Sequence, residues 1–408
     1  MTSASESGSP HGATTRELSR VNSTTIVKLL RESGALSRQE IGARTGLSSA
    51  TVNRLTSTLL RDNVIAVAGN EPSTGGRPSM LLRFAGETRL VAALQLLADR
   101  AVGVLVDLDG KIVFRRVAPF SNPIPEDAKP DQIEHEQALQ VEQLVELAGT
   151  LIATAKGMGS PCLAVGVAVP GNVDANGTVA RMPEMGWNET PLGRLLRERV
   201  ALPLVIENDA NALAWGELTR GAGRGSAGMV ALLIGRGLGA GIISGGELHR
   251  GAGARAGEVG YLLTNRAAFS RYFTDHGDLE DRIGSVALTR TARERGIPIP
   301  ATGWVAAEDV FALSAAGNAD AAELEVEIFD MASIAATALV AVLDPDLLVV
   351  GSSYGDAERL VAEIHKRLAG RVIRVPRVVA ASLREDAVIV GAAELAAAEV
   401  HDFAYLSH

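Results

Sequence analysis

The first residues able to do chemistry lie in the segment 48–61, where short polar side chains and one guanidinium alternate with apolar residues. The apolar residues recur at helical spacing and predict a buried face formed by Val52, Leu55, Leu59 and Leu60. The opposite face carries Ser49, Thr51, Asn53 and Arg54. Hydroxyl, amide and guanidinium groups on the first turns of a helix can contact base edges and phosphates in a major groove. The segment therefore predicts a DNA-recognition helix.

A second group able to contact nucleic acid is the guanidinium of Arg77, in the sequence Gly75-Gly76-Arg77-Pro78. Glycines keep the backbone slim around the arginine, and such a loop can enter a narrow minor groove, whose negative potential attracts a guanidinium. A surface turn with one exposed arginine has the same composition. Because these residues follow a helix-turn-helix pattern, a DNA contact is the favoured interpretation.

The neighbouring segments predict the scaffold that positions these side chains. Ser37 and Glu40 fit a Ser-x-x-Glu capping box at the start of one helix, and Gly46 ends that helix. The stretches VIAVAGN and MLLRF, on either side of EPSTGGRPS, are predicted to pair as a hairpin. Residues 16–88 are therefore predicted to form a winged helix-turn-helix, which follows a disordered tail at 1–15.

Charge is divided unevenly along the chain. Residues 1–89 carry eleven basic and seven acidic residues, a net charge of +4, while the remainder carries 28 basic and 41 acidic residues, a net charge of −13. A small basic module attached to a large acidic one predicts that the N-terminal part approaches a polyanion. Double-stranded DNA is the partner that the recognition helix indicates.

Composition limits the remaining classes of protein. With 47% apolar and 21% charged residues among 408, the chain is expected to be globular and to contain two or three domains. Charged residues such as Arg236 and Asp344 interrupt the long apolar runs, so no membrane span is expected. The single cysteine, Cys162, cannot form an internal disulfide, and the expected compartment is the cytoplasm.

From residue 89 onward, short apolar runs alternate with helical segments and glycine turns, which is typical of α/β proteins. Runs such as LAVGVAVPGNV, GMVALLIG and DLLVVGSS predict buried strands. Two strand-rich blocks flank the segment 208–220. We therefore expect two α/β lobes with a ligand-binding cleft between them.

An ordered series of motifs resembles the ROK family of repressors, open reading frames and sugar kinases. The series comprises VAVPGNVD at 167–174, GWNETPL at 186–192, LPLVIENDANALAWGE at 202–217, GRGLGAGIISGGELHRGAGARAGEVG at 235–260 and DLLVVGSS at 346–353. The resemblance implies an α/β fold in which the winged helix-turn-helix precedes a two-lobed, actin-like ATPase body at 89–408. Lobe 1 would span about 89–208 with a C-terminal helix at about 388–408, and lobe 2 about 209–387.

The resemblance also implies a set of effector-binding residues. In family members that bind sugar, an Asn-Asp pair, later glutamates and a histidine form the sugar site. The matching positions in this sequence are Asn208, Asp209, Glu258 and Glu280, with Tyr261 in place of the histidine, and Gly171 completes the expected set. An amide beside a carboxylate suits a polyol, because the pair donates to and accepts from adjacent hydroxyls. Asn208 and Asp209 also fit a helix cap, and the two roles are compatible.

Two departures from the family pattern concern nucleotide binding. The first phosphate loop, Asp-x-Gly-Gly-Thr in the kinases, is matched by Gln95, Leu97, Ala98 and Asp99. Leucine obstructs the approach of backbone to phosphate, glutamine cannot replace a metal-binding carboxylate, and aspartate adds a like charge. We therefore expect no phosphoryl transfer and no nucleotide cofactor. The glycines at 235–241 resemble a second phosphate loop, and close packing of strands is the favoured explanation for them.

A third departure concerns the structural zinc of the family. The positions of its histidine and three cysteines are matched by Tyr261 and by about Arg271, Phe273 and Asp278. Because no set of four ligands remains, we expect no metal, and His276 with its neighbouring aspartates fits a solvated loop.

These observations predict a DNA-binding transcriptional regulator, a repressor, that recognises a palindromic operator as a homodimer or homotetramer. Its body would bind a sugar or sugar derivative as effector without phosphorylating it. The alternative is an active ROK-type sugar kinase with an accessory DNA-binding domain, and residues 95–99 decide between the two. A third possibility is a regulator that responds to a protein partner.

Overall fold

The structure is a computed structural model that describes residues 15–70, 79–120, 129–182, 185–274, 276–352 and 357–400. The N-terminal elements within these ranges are α1 (Thr15–Ser33), β1 (Leu36–Ser37), α2 (Arg38–Thr45), α3 (Ser49–Arg61), β2 (Ile65–Asn70) and β3 (Met80–Phe84). Strands β2 and β3 pair in antiparallel fashion, and β1 adds to the other edge of β3. The predicted winged helix-turn-helix is confirmed. Apart from Thr15, the tail predicted at 1–15 lies outside the described residues.

Local sequence determines where the helices of this module begin and end. The side chain of Ser37 accepts from the backbone of Glu40, whose carboxylate in turn accepts from the Ser37 amide at 2.8 Å, so the predicted capping box is present. Gly46 ends α2 with a φ of 71°, a left-handed conformation that glycine adopts without strain. The three helices then bury a common core that includes Ile26, Leu30, Ile41, Leu55 and Leu59.

Lobe 1 is built on a five-stranded sheet. Its elements are β4 (Leu90–Leu96), β5 (Arg100–Asp107), β6 (Ile112–Pro119), α4 (Pro130–Gly157), β7 (Cys162–Val169), β8 (Asn172–Val173), β9 (Val179–Met182), β10 (Trp187–Thr190), α5 (Leu192–Arg197) and β11 (Leu204–Asn208). The strand order is β11-β7-β4-β5-β6, with β4, β5 and β6 antiparallel and β4, β7 and β11 parallel. A small sheet, β10-β9-β8, lies beside it.

Lobe 2 repeats this sheet. The remaining elements are α6 (Asp209–Thr219), β12 (Gly228–Ile234), β13 (Leu238–Ser244), β14 (Glu247–Leu248), α7 (Glu280–Ile283), α8 (Ser285–Arg295), α9 (Ala307–Ala315), α10 (Ala319–Leu343), β15 (Leu347–Ser352), α11 (Glu358–Leu368), β16 (Arg377–Ala380) and α12 (Ala387–Ala398). The order β14-β13-β12-β15-β16 has the same topology as the sheet of lobe 1. Two such lobes form the actin-like fold that the motifs predict.

Helices α6 and α12 cross between the two sheets. Helix α6 follows the last strand of lobe 1 and packs on β12 and β13, whereas α12 follows the last strand of lobe 2 and packs on β4 and β7. Glycines make the crossing possible: a Cβ at Gly391 would overlap the carbonyl oxygen of Ala212, and one at Gly216 would overlap that of Ala387. The two helices are therefore in backbone contact.

Helix α10 is, among the described residues, the one helix whose length and composition would allow it to cross a membrane. Its residues Leu324, Ile328, Ala332 and Leu339 are buried in the core of lobe 2. The buried carboxylate of Glu325 on the same helix pairs with a guanidinium of α11 at 2.8 Å. These contacts are typical of a core helix.

Candidate functional site

The polar face of α3 is presented to solvent. Ser48 caps the helix by accepting from the Thr51 amide, and the apolar face packs into the core of the module. Ser49, Asn53 and Arg54 are exposed, while Thr51 is half-buried with its hydroxyl oxygen 2.9 Å from that of Ser48. The exposed groups of α3 that follow the cap therefore include the amide of Asn53 and the guanidinium of Arg54.

The guanidinium of Arg54 lies beside α1. Its Nη1 atom donates to the Ser19 hydroxyl at 3.4 Å, which is long for a hydrogen bond. A phosphate or a base could replace this contact by a shorter, charge-assisted one. The predicted wing contact, Arg77, lies outside the described residues.

The amino end of α6 brings the predicted Asn-Asp pair to the junction of the lobes. Asn208 is the N-cap: its Oδ1 accepts from the amides of Ala210 at 2.9 Å and Asn211 at 3.2 Å, and its Nδ2 donates to the carbonyl of Gly171 at 3.2 Å. Asp209 accepts from the Ala210 amide at 2.8 Å. The helix-cap role is thus confirmed, and both side chains are half-buried at the start of α6.

Glu207 orients this cap, a role that the sequence did not reveal. Its buried carboxylate accepts from Nδ2 of Asn211 at 2.9 Å, from the Asn208 amide at 3.0 Å and from Nε of Arg250 at 2.7 Å. Arg250 comes from the loop after β14, so the ion pair ties the amino end of α6 to lobe 2. An acidic residue at the end of a strand gives no specific signal in a single sequence.

Glu258 lies in the same cleft and has an unusual ionisation. Burial and the nearby carboxylate of Glu280 raise the pKa of Glu258 from 4.5 to about 7, against the opposing influence of Arg255 and of a hydrogen bond from Asn172. The Glu258 carboxyl is consequently close to half-protonated at neutral pH, and it can both donate to and accept from a hydroxyl. Asn172 immediately follows Gly171 in the VAVPGNVD motif, and the sequence alone gave no reason to single it out.

Glu280 is held in position without a metal ligand set around it. Its Oε1 accepts from the Leu238 amide at 3.2 Å, and its Oε2 lies 3.6 Å from Nδ1 of His276. A Cβ at Gly237 would overlap the carboxylate, so a glycine there makes room for it. The His276 side chain is 24% exposed, and the prediction that it belongs to a solvated loop is wrong because it packs against Glu280. Tyr261, 43% exposed, ends the short 3-10 turn Val259–Tyr261.

The loop that carries the zinc in the family is fixed here around a buried carboxylate. Asp278 accepts from the amide and hydroxyl of Thr264 at 2.7 and 2.6 Å, and it pairs with Arg271 and Arg282. Burial alone would raise the pKa of Asp278, but the bonds from Thr264 and the two guanidinium groups outweigh it and lower that pKa. Within the described ranges, no group of three or more His, Cys, Asp or Glu side chains is arranged to hold a metal ion.

The segment that matches the first phosphate loop is a closed hairpin between β4 and β5. The amide of Leu97 donates to the carbonyl of Arg100 at 2.9 Å, and the Asp99 carboxylate pairs with the Arg100 guanidinium at 2.8 Å. Asp99 also accepts, through its carbonyl, from the amide of Phe120. The Leu97 amide and the Arg100 guanidinium are therefore engaged within the protein.

The second glycine segment lies at the corresponding turn of lobe 2. A Cβ at Gly241 would overlap the carbonyl oxygen of Ala210 and the methyl group of Ala214, and one at Gly239 would lie 3.1 Å from the Cβ of Ala210. Both glycines lie in β13 and face α6. Their packing against the helix gives them a structural reason to be glycine that involves no nucleotide.

The fold and these residues define a class: a winged helix-turn-helix joined to a two-lobed body of the sugar-kinase type. The ROK family matches residues 122–399, which is more than half of the chain, and a winged helix-turn-helix DNA-binding family matches residues 23–66. The chain belongs to the ROK family.

The chain is similar both to members of the family that are named as repressors and to members that are named as kinases. The xylose repressor of Caldicellulosiruptor bescii is 25% identical over 95% of this chain and 98% of its own length. The xylose repressor of Bacillus spizizenii is 26% identical, and that match spans only 60% of each chain. Among solved structures, a ROK family transcriptional regulator, homolog of the E. coli MLC protein, superposes with a TM-score of 0.72 at 20% identity, over 95% of this chain and 98% of the other. A ROK family glucokinase from Streptomyces griseus, solved with glucose and AMPPNP, has a TM-score of 0.62 at 27% identity, over 76% and 99%.

Proposed function

We propose that this chain is a transcriptional repressor that binds operator DNA through its winged helix and a sugar through its body. The observation that carries the proposal is the exposed polar face of α3, with Ser49, Asn53 and Arg54 toward solvent on a helix whose apolar face is buried. An exposed amide and guanidinium at this position serve to contact bases in the major groove. Phosphoryl transfer to a sugar would not require these two groups.

The proposed effector is a neutral sugar. Asn208, Asp209 and Glu258 supply donors and acceptors for adjacent hydroxyls at the junction of the lobes, with Gly171, Tyr261 and Glu280 around them. The carboxylates of this set disfavour a phosphorylated or acidic ligand through like-charge repulsion. Relatives named xylose repressors make D-xylose the first sugar to test, and the glucose-bound glucokinase makes D-glucose the second.

The body is proposed to bind sugar without phosphorylating it. Phosphoryl transfer depends on positioning the phosphates and neutralising their charge. The closed hairpin at Leu97 and Arg100 offers neither a glycine loop nor a metal-binding carboxylate. The alternative, a sugar kinase with an accessory domain, is supported by the retained Asp209 and the glycines at 235–241. A coupled assay for ADP release with D-glucose and D-xylose tests it, and turnover would support the kinase.

The working unit is proposed to be a homodimer or homotetramer in the cytoplasm, since two recognition helices read two half-sites of a palindrome. We propose residues 16–88 as the DNA-binding domain and 89–408 as the body, divided into lobes as the motifs indicate. The boundary at 88 falls at the 3-10 turn Gly86–Thr88, between β3 and β4.

DNA binding is tested by selecting sequences from a random duplex library with the full-length protein and measuring affinity by fluorescence anisotropy. We expect a palindromic site whose affinity falls steeply with salt. Arg54→Ala should weaken binding by about 1–3 kcal/mol if the guanidinium contacts a base. The matched control is Arg194→Ala, an exposed arginine of α5 paired with Glu198, which should leave the affinity unchanged. Failure to enrich any sequence would contradict the proposed function.

A further inference from the structure

Helix α6 joins the proposed sugar site to the opposite end of the body. Asn208 and Asp209 lie at its amino end, and Arg220 is its C-cap. The helix contains 11 residues, which corresponds to about 16 Å at 1.5 Å per residue. Between the ends, the buried carboxylate of Glu217 accepts from the Leu383 amide at 2.8 Å and the Ser382 hydroxyl at 3.0 Å, so α6 is fixed to the segment that precedes α12.

Arg220 connects three parts of the body. Its Nε donates to Glu394 of α12 at 2.8 Å, while Nη1 and Nη2 donate to the carbonyls of Asp109 and Leu108 at 2.9 and 2.8 Å. The ion pair is largely sheltered, with side chains 27% and 12% exposed. A guanidinium presents its donors in a rigid fork, so the three acceptors must keep their relative positions for all these bonds to persist.

The turn held by Arg220 touches the DNA-binding module. Residues 108–110 connect β5 to β6, and the Leu108 amide donates to the carbonyl of Gly86 at 3.2 Å. The Asp109 carboxylate packs on the same residue, since a Cβ at Gly86 would overlap it. Gly86 begins the 3-10 turn that follows the wing strand β3. Arg220 also lines a crevice of about 810 Å³ between the body and α1.

The linker after Gly86 is bonded to the carboxyl end of the recognition helix. Buried Arg89 donates through Nη1 to the carbonyl of Asn63 at 2.9 Å and through Nη2 to that of Asp62 at 3.4 Å, and the Thr88 hydroxyl donates to the Asn63 carbonyl at 2.8 Å. Asp62 is the C-cap of α3. A continuous path of packed and hydrogen-bonded groups therefore runs from Asn208 to the end of α3.

We infer that Arg220 is a positioning residue that couples sugar binding at the amino end of α6 to the orientation of recognition helix α3. This inference rests on the proposed function and adds the route by which the two sites communicate. If sugar binding shifts the carboxyl end of α6, the fork of Arg220 transmits the shift to the 108–110 turn and through Gly86 to Arg89. Coupling through such a path requires two discrete arrangements that both ligands bias.

The test compares the full-length wild type with Arg220→Gln and Arg220→Lys. Operator affinity is measured by fluorescence anisotropy with and without D-xylose or D-glucose, and sugar affinity by calorimetry with and without operator. In the wild type, each ligand should change the affinity for the other by the same factor, in the range of about 5- to 150-fold. In Arg220→Gln, both separate affinities should stay within about twofold while this mutual factor falls toward one. Arg220→Lys should behave similarly, because an ammonium cannot hold both carbonyls with Glu394 in the same geometry.

A purely structural role for Arg220 would lower stability without removing the mutual factor. Arg194→Gln, which removes an exposed ion pair elsewhere in the body, is the matched control and should keep the wild-type factor. An Arg220→Gln variant that folds and retains the wild-type factor overturns the inference.

A second measurement does not depend on identifying the sugar. Hydrogen exchange of the ligand-free proteins should be faster at the amides of 60–64 and 85–89 in Arg220→Gln than in the wild type, and unchanged there in Arg194→Gln. If neither sugar changes the operator affinity of the wild type but these amides exchange faster in Arg220→Gln, the proposed effector is wrong and the path is supported. If these amides exchange as in the wild type, the path is wrong whatever the sugars do.

Discussion

The turn between the first two strands has the same place in the topology of each lobe, yet the two turns differ. In lobe 1, between β4 and β5, it is a tight hairpin without glycine, closed by the bond from Leu97 to Arg100. In lobe 2, glycines lie both in the turn between β12 and β13 and in β13 itself, where Gly239 and Gly241 face α6 at short range. The difference indicates that the glycines of lobe 2 are needed for close packing, whereas the lobe 1 turn is closed by its own backbone without them.

The largest expected effect is at the glycines of β13 in lobe 2. Gly241→Ala places a methyl group against the carbonyl of Ala210, which α6 cannot move without disturbing its crossing with α12. We expect a loss of about 1–3 kcal/mol in stability, measured as a fall in Tm by calorimetry. The control is Gly149→Ala in α4, where nothing lies within 4 Å of the new Cβ and helix propensity should slightly raise Tm. Equal effects of the two substitutions would remove packing as the reason for the lobe 2 glycines.

A second prediction concerns the end of the cleft that retains polar groups. Asp209→Asn removes the charge that we propose accepts from a sugar hydroxyl, while leaving the Asn208 cap in place. Because a hydrogen bond to a charged group is worth about 1.5–3 kcal/mol, sugar affinity should fall by about tenfold or more. Operator affinity without sugar should not change, since Asp209 belongs to α6 of the body and not to the DNA-binding module. Calorimetry gives the first quantity and anisotropy the second, and an unaltered sugar affinity would place the sugar elsewhere.

A third prediction uses the ionisation of Glu258. Its pKa in the folded protein is about 7, above the 4.5 of an unperturbed glutamate, so the native state retains a proton that the unfolded state releases between these values. Stability should therefore fall as pH rises from about 4.5 to 7. Glu258→Gln has no proton to release, and its Tm should decline less than that of the wild type between pH 5 and pH 8.

The control for this pH dependence is Glu142→Gln, an exposed carboxylate that is paired with Arg199 on the surface. Its Tm profile should run parallel to that of the wild type. Parallel profiles for Glu258→Gln as well would show that another group causes the pH dependence.

The smallest effect on activity is expected at the lobe 1 hairpin. Leu97→Gly together with Gln95→Asp restores two residue types of a phosphate loop, at some cost in stability because Leu97 is half-buried and packs against the core. Because the hairpin remains closed by the backbone bond to Arg100 and Asp99 still adds charge, we expect no ATP turnover with D-glucose. The coupled assay measures it, and sustained turnover would mean that this loop alone separates the chain from the kinases.

Features determined by neighbours in sequence were predictable. The capping box of Ser37 and Glu40, the left-handed Gly46 and the buried face of α3 follow from local spacing, and each is present in the structure. The order of the motifs predicted the two-lobed fold. Helices α8 and α9 of lobe 2 were not predicted, because their N-cap residues, Gly284 and Ala306, have no side chain that can cap a helix.

Contacts between distant segments were not predictable in the same way. The bond from Asn172 to Glu258 and the packing of His276 on Glu280 depend on how the chain folds back on itself. Two of the three acceptors of Arg220 are backbone carbonyls 111 and 112 residues away, and a carbonyl has no signature in the sequence. Charge and polarity therefore showed which residues were available, and only the structure showed which of them meet.

The helices α6 and α12 give the body a reciprocal construction. Helix α6 follows the last strand of lobe 1 and covers the sheet of lobe 2, whereas α12 follows the last strand of lobe 2 and covers the sheet of lobe 1. The glycines at 216 and 391 allow the two helices to pack in backbone contact. A lobe produced alone would lack the helix that its partner contributes and would expose apolar strands to water. The two halves should accordingly melt as one cooperative unit, and cutting the chain between them should yield fragments that are soluble only when mixed.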